Sequence, residues 1–160
     1  MTIRIAQRCD RDSLWQILEP IARAGDVFAW PRNMSRKDAL ASWAGPSSEV
    51  FVAELDGKVV GTAYLKPNQL GGGAHVANSG YATAASAEGR GIARALCDHT
   101  LKRARELGFR AMQFNFVVST NARAVRLWQS FGFETVGVLP AAFEHPTAGS
   151  VDVLVMYRLL

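Results

Sequence analysis

Long apolar runs are missing from this chain: no stretch approaches the roughly 20 consecutive apolar residues that a membrane-spanning helix needs. The start, Met1-Thr2-Ile3-Arg4, lacks the apolar core of a secretory signal. Cysteine is nearly absent as well. Cys9 and Cys97 are too few for a disulfide framework, and a reducing cytoplasm is the expected compartment. The three histidines, His75, His99 and His145, share no metal-ligand spacing with those cysteines, so no metal is expected. Dense Lys/Arg blocks and nucleic-acid motifs are lacking too. A net charge of +4 spread along 160 residues suits a small polyanionic ligand, with no nucleic acid and no membrane as partner. There are no internal repeats and no linker. With 49% hydrophobic residues, positions 1–160 are expected to form one domain around a real core.

The hydrophobic periodicity is that of alternating strands and helices. Thr2–Gln7 and Val50–Leu55 read as strands, and Lys58–Lys66 is joined to the latter by Asp56-Gly57, a hairpin signal. Asp10 or Asp12 is placed to cap a first helix whose inward face is Leu14, Ile17, Leu18 and Ile21. A loop carrying Phe28, Trp30 and Pro31 leads to a second helix from Ser35, with Leu40 and Trp43 inward. Three glycines in Gln69–Ala74 predict a mobile loop, followed by a strand from Val76 to Thr83. The helix from Gly91 to Glu106 carries a stripe of Ala93, Leu96, Cys97, Thr100, Leu101, Ala104 and Leu107. After the β-branched and aromatic strand Arg110–Val118, Thr120 or Asn121 caps a fourth helix with Ala124, Leu127, Trp128 and Phe131 inward. Phe133–Pro140 and Ser150–Leu159 close the series, separated by an exposed loop around His145-Pro146. The order β-α-α-β-β-β-α-β-α-β-β implies one mixed α/β sheet with helices on both faces.

One stretch carries more chemistry than the rest. Glu88-Gly89-Arg90-Gly91-Ile92-Ala93 opens a helix directly after an apolar strand. Two glycines one residue apart allow a tight turn with successive N–H groups aimed at one spot, and the helix start adds unbonded N–H groups and partial positive charge. Such a turn seats a phosphate or diphosphate. Taken alone, a G-x-G reads better as an ordinary glycine-rich strand-to-helix turn.

Joined to the element order, the turn resembles the phosphate-binding motif [R/Q]-x-x-G-x-[G/A] of the GNAT superfamily of acyl-CoA N-acyltransferases, matching it at Gly91 and Ala93. That family's second motif, N-x-x-A-x-x-L-[YW]-x-x-x-G-F, is complete as Asn121, Ala124, Leu127, Trp128, Gly132 and Phe133. The resemblance implies a mostly antiparallel twisted sheet of about seven strands with splayed central strands. It also implies acetyl-CoA as cosubstrate. The coenzyme would be held by Gly89, Arg90, Gly91, Ile92 and Ala93 at the turn, beside the Ala82-Thr83 backbone, and by Asn121 and Trp128 across from it. Two positions depart from the family. Glu88 stands where Arg or Gln is usual, which shifts phosphate binding onto backbone N–H groups and Arg90 or Arg94. Trp128 stands where many members carry a Tyr that protonates the departing thiolate, and an indole N–H cannot supply that proton near neutral pH.

A narrower resemblance joins Lys66-Pro67-Asn68, His75–Gly80, Phe114–Asn121 and Leu127-Trp128 to the branch that acetylates toxic proline analogues such as azetidine-2-carboxylate. It implies substrate or intermediate contacts from Asn78 and Asn115, each of which also has a purely structural reading as a buried, paired amide. His75, just before the fourth strand, is a candidate proton relay or a merely solvated loop residue. The expected activity is acetyl transfer to a small-molecule amine by direct attack in a ternary complex. Protein N-terminal acetylation and a silent acyl-CoA-sensing module are the alternatives, and a homodimer is left open.

Overall fold

Asp56 and Gly57 both take left-handed backbone angles, with φ of 52° and 75°, and so close the tight hairpin that their residue types suggest. In this computed structural model, which describes residues 1–160, the strands are β1 (Thr2–Ile5), β2 (Glu49–Leu55), β3 (Lys58–Pro67), β4 (Val76–Thr83), β5 (Ala111–Val118), β6 (Glu134–His145) and β7 (Gly149–Leu159). The helices are α1 (Arg11–Ala24), α2 (Arg36–Trp43), α3 (Ile92–Glu106) and α4 (Ala122–Ser130). One sheet runs β1-β2-β3-β4-β5-β7-β6, and β4–β5 is its single parallel pair. Leu14, Ile17 and Leu18 of α1 and Trp43 of α2 pack over Val50, Val52 and Ala82 on one face. Leu96, Cys97 and Leu101 of α3 and Trp128 of α4 pack over Phe51, Leu65, Met112, Phe114 and Met156 on the other. No helix is long and apolar enough to cross a membrane.

Several local expectations are corrected. Asp10 does not cap α1 with its side chain. Its carboxylate instead accepts from the Arg4 guanidinium at 2.8 and 2.9 Å and from the Gln7 N–H at 2.6 Å. The Arg4 hydrogen bonds hold it below the ordinary carboxylate range. Leu107 is 45% exposed, because α3 ends one residue before it. Gly71–Gly73 winds into a single 3-10 turn. β6 continues past Pro140 to His145, leaving a much shorter connection to β7 than the sequence suggested. A proline is tolerated there because β6 is an edge strand, where a missing N–H costs no ladder bond. A bulge between Leu139 and Phe143 takes up the extra residues, pinned where Asp152 Oδ1 accepts the Ala141 N–H at 2.9 Å.

The junction of β3 with α3 is tight. A Cβ built on Gly61 would lie 2.4 Å from Cγ2 of Ile92 and 3.2 Å from Cδ1 of Leu96. Ile92 is 2% exposed and has nowhere to retreat. Gly61→Ala should therefore lower stability by about 1–3 kcal/mol, read as an earlier denaturant midpoint with an unchanged slope. Since Ile92 is the first residue of α3, this glycine also sets how closely the helix start approaches the sheet.

Candidate active site

β4 and β5 pair only at Val76–Ala111 and Ala77–Met112, and then separate. Two features drive them apart. The next β5 carbonyl, that of Gln113, is taken at 2.9 Å by the Asn78 side-chain amide rather than by a main-chain N–H. Beyond it, β5 bulges between Phe114 and Val117. The opening is the floor of a cleft of about 1280 Å³ that runs from the α3 start and α4 to the Phe28–Trp30 segment after α1.

The β4 edge facing this opening follows from its register. Ala84 N–H donates to Val60 and Asn68 N–H to Val76, which turns the main-chain groups of even-numbered β4 residues into the β3 ladder. Ser79, Tyr81 and Thr83 therefore turn their N–H and C=O groups toward the opening. Thr83 lines the cleft with these groups turned to it. Ala82 lines the cleft, but its N–H and C=O belong to the ladder with Thr62.

At the wide end lies the glycine turn. Gly89 and Gly91 have φ of 75° and 77°, and a Cβ on either would touch no protein atom. Glycine is needed there for its backbone conformation and not for space. The N–H groups of Gly89, Gly91, Ile92, Ala93 and Arg94 have no acceptor in the protein, while that of Arg90 bonds to Ala87 O at 3.4 Å. Five unbonded donors at a helix start make an anion seat. Arg90 points away, toward Asp56 at 3.9 Å. Arg94 is bound to Ser130 Oγ at 3.1 Å and lies over the Phe131 ring. Glu88 pairs at 3.5 Å with Arg123 of α4.

Asn121 caps α4, its Oδ1 accepting the Ala124 N–H at 3.2 Å, and it lines the cleft together with Trp128. Trp128 is 8% exposed and packs between Tyr81 and Phe114, with ring centroids 4.8 and 5.1 Å away. Asn78 is buried, and both ends of its amide are engaged: Oδ1 accepts from the Tyr64 hydroxyl at 3.0 Å while Nδ2 holds Gln113. Asn115, expected to be buried within a regular strand, is exposed on the bulge. Its Nδ2 donates to Asn68 Oδ1 at 2.7 Å, and its Oδ1 accepts from Gln113 at 2.8 Å. His75 is not brought to the cleft. It stands where β4 and β5 are still joined, its carbonyl accepting the Arg110 N–H at 2.9 Å.

Tyr64 and Tyr81, which the sequence did not single out, also line the cleft. Burial pushes the Tyr64 phenol up to about 12 and raises Tyr81 well above its ordinary value, so both stay protonated. The Tyr64 ring lies across Gly80, where a Cβ would come within 2.5 Å of it. A glycine opposite an aromatic in the hairpin register was the available signal. The Tyr81 hydroxyl is turned to Thr100 Oγ1 at 2.7 Å, under α3. Cys97 is fully buried and its thiol is pushed up to about 12 by burial, which leaves it inert as a nucleophile.

An open sheet split at its one parallel pair, with a bare helix start at the mouth of the split, defines an α/β protein able to seat an extended anionic ligand. The model of the acetyltransferase (GNAT) family matches residues 11–133, and the chain belongs to that family. It is 33% identical over 103 residues to the N-acetyltransferase aca1 of Schizosaccharomyces pombe, a match covering 63% of this chain and 49% of that protein. The chain thus spans about half the length of that curated relative. A GCN5-related N-acetyltransferase from Kribbella flavida superposes with a TM-score of 0.94 at 42% identity, over 99% of this chain and 97% of the other. The putative acetyltransferase yncA from Salmonella typhimurium, solved with its cofactor acetyl-CoA, shares the fold at 23% identity. Its TM-score is 0.88, over 100% of this chain and 94% of that one.

Proposed function

We propose that this protein transfers an acetyl group from acetyl-CoA to the amine of a small, amino-acid-like molecule, proline analogues included, by direct attack in a ternary complex. The observation that carries this reading is the cleft itself: five unbonded N–H groups at one end, a free β4 edge along its floor, and an aromatic mouth at the other end. Acetyl-CoA supplies an acetyl thioester, already activated toward amines. Gly89, Gly91, Ile92 and Ala93 would hold its diphosphate through their N–H groups, while Asn121 and Trp128 flank the pantetheine arm. The N–H groups of Tyr81 and Thr83 would meet the charge that develops on the thioester oxygen. Arg90 contributes charge at long range rather than a direct contact, given its position near Asp56.

At the other end, Phe28 and Trp30 form one wall, and Asn115 offers its second amide N–H to a carboxylate of the acceptor. Cys97 is buried with its thiol held protonated and the Ser79 hydroxyl is donated to the Tyr64 carbonyl, which leaves the amine to attack the thioester itself. Trp128 shapes the thiol end by packing, and the leaving sulfur takes its proton from water. The two unpaired cysteines suit a reducing, cytoplasmic setting. Purified protein given acetyl-CoA should release free thiol with azetidine-2-carboxylate or another small amino acid in an acceptor panel. Coenzyme A binding without turnover on any amine would favour a sensing role instead. Turnover confined to peptide N-termini would favour protein acetylation.

A further inference from the structure

The glycine turn has a carboxylate at its entrance, which opposes any phosphate seated on the N–H groups behind it. Glu88 and Arg123 bridge the mouth of the cleft at 3.5 Å, and each side chain is 64% exposed, held by little besides the other. Both residues line the cleft. The two arginines of the turn and of the α3 start are committed elsewhere, Arg94 to Ser130 and Phe131, and Arg90 toward Asp56. α1 and α2 carry Asp12 and Asp38 in their first turns, the sign that the helix dipole favours. α3 and α4, whose starts face the cleft, carry no acid there. Arg123 stands in the first turn of α4, where a cation is disfavoured unless an anion compensates it. Glu88 is that anion in the free protein.

We propose that Arg123 is the side chain that binds the diphosphate of the acyl-CoA, and that Glu88 parks it across the cleft mouth until the diphosphate takes its place. This rests on the reading that the coenzyme's phosphates occupy the turn. Arrival of the diphosphate exchanges one exposed partner of Arg123 for a doubly charged one. A guanidinium makes two parallel hydrogen bonds to a phosphate, so the exchange favours the ligand. Glu88, released, turns to solvent. The pair thereby supplies from α4 the cation that the turn itself lacks.

Binding isotherms test this without reference to turnover. Wild-type, Arg123→Gln, Glu88→Gln and the control Arg105→Gln, exposed near the far end of α3, are titrated with coenzyme A, dephospho-coenzyme A and pantetheine. Arg123→Gln should weaken coenzyme A by about tenfold and reduce the salt dependence of binding. The same factor should persist with dephospho-coenzyme A, which keeps the diphosphate, and vanish with pantetheine. Glu88→Gln should tighten coenzyme A by about threefold, since it removes a repelling charge and frees the arginine. Arg105→Gln should match wild-type, and all melting temperatures should agree. If wild-type binds coenzyme A and Arg123→Gln binds equally well, the role of Arg123 is overturned while the site reading stands. A loss that disappears with dephospho-coenzyme A also overturns it, by assigning Arg123 to the 3′-phosphate. Wild-type protein that binds no coenzyme A overturns the site reading and this proposal together.

Discussion

Gly91→Val protein is expected to remain folded and to lose coenzyme A affinity by about 100-fold or more, the effect of removing several aligned charge-assisted donors at once. Gly91 has φ of 77°, a conformation that valine strongly resists. Strain of this kind costs about 1–3 kcal/mol, so the turn should relax toward negative φ and scatter the N–H groups that converge there. Gly108 supplies the control. It has φ of 82°, its Cβ position is equally open, and it terminates α3 away from the cleft. Gly108→Val should lower the melting temperature by a similar amount, about 2–4 °C per kcal/mol for a domain this size, while leaving coenzyme A binding intact. Calorimetric titration and thermal unfolding of both variants separate strain from site. Equal loss of affinity in the two would show that the turn acts through global stability alone.

That turn was legible because its requirement is written in residue type: a left-handed backbone favours glycine, and Gly89 and Gly91 both adopt one. The same holds for Asn121, whose cap is visible in sequence and present in the structure. What escaped depended on irregular backbone or distant partners. Asn115 was read by strand alternation, and a bulge with no glycine or proline to announce it cancels that periodicity between Phe114 and Val117. Pro140 looked like a strand end, which is sound for a central strand and fails at an edge. The Glu88–Arg123 pair joins residues 35 positions apart, and neither residue type marks the other. His75 looked close to the chemistry because it adjoins the right strand. It adjoins the end of β4 where the two strands are still joined, and the sequence carries no sign of where a parallel pair splits.

Asn78 and Asn115 have the same chemistry and, on sequence grounds, similar claims to the acceptor, yet their replacement by alanine should give opposite results. The Asn78 amide stands where the β4–β5 ladder stops, satisfying both the Gln113 carbonyl and the Tyr64 hydroxyl. Asn78→Ala strands both groups at a half-dry site. An unpaired buried polar group costs about 1–3 kcal/mol, so the variant should lose about 2 kcal/mol or more, a fall of roughly 4–8 °C in melting temperature. Its floor strands would no longer be held at a fixed separation, and affinity for acetyl-CoA and for the acceptor should weaken together. Asn115, exposed on the bulge, props no main-chain ladder; its two partners are the side chains of Asn68 and Gln113. Asn115→Ala should melt within about 2 °C of wild-type, as a surface substitution does. Acceptor kcat/KM should fall by about 10–100-fold with coenzyme A affinity unchanged, the signature of a contact made to one substrate. Should Asn78→Ala melt normally with only acceptor kinetics impaired, Asn78 would be the acceptor ligand and the strut would be assigned wrongly. Should Asn115→Ala leave acceptor kinetics untouched, the bulge would serve to open the cleft and not to grip its substrate.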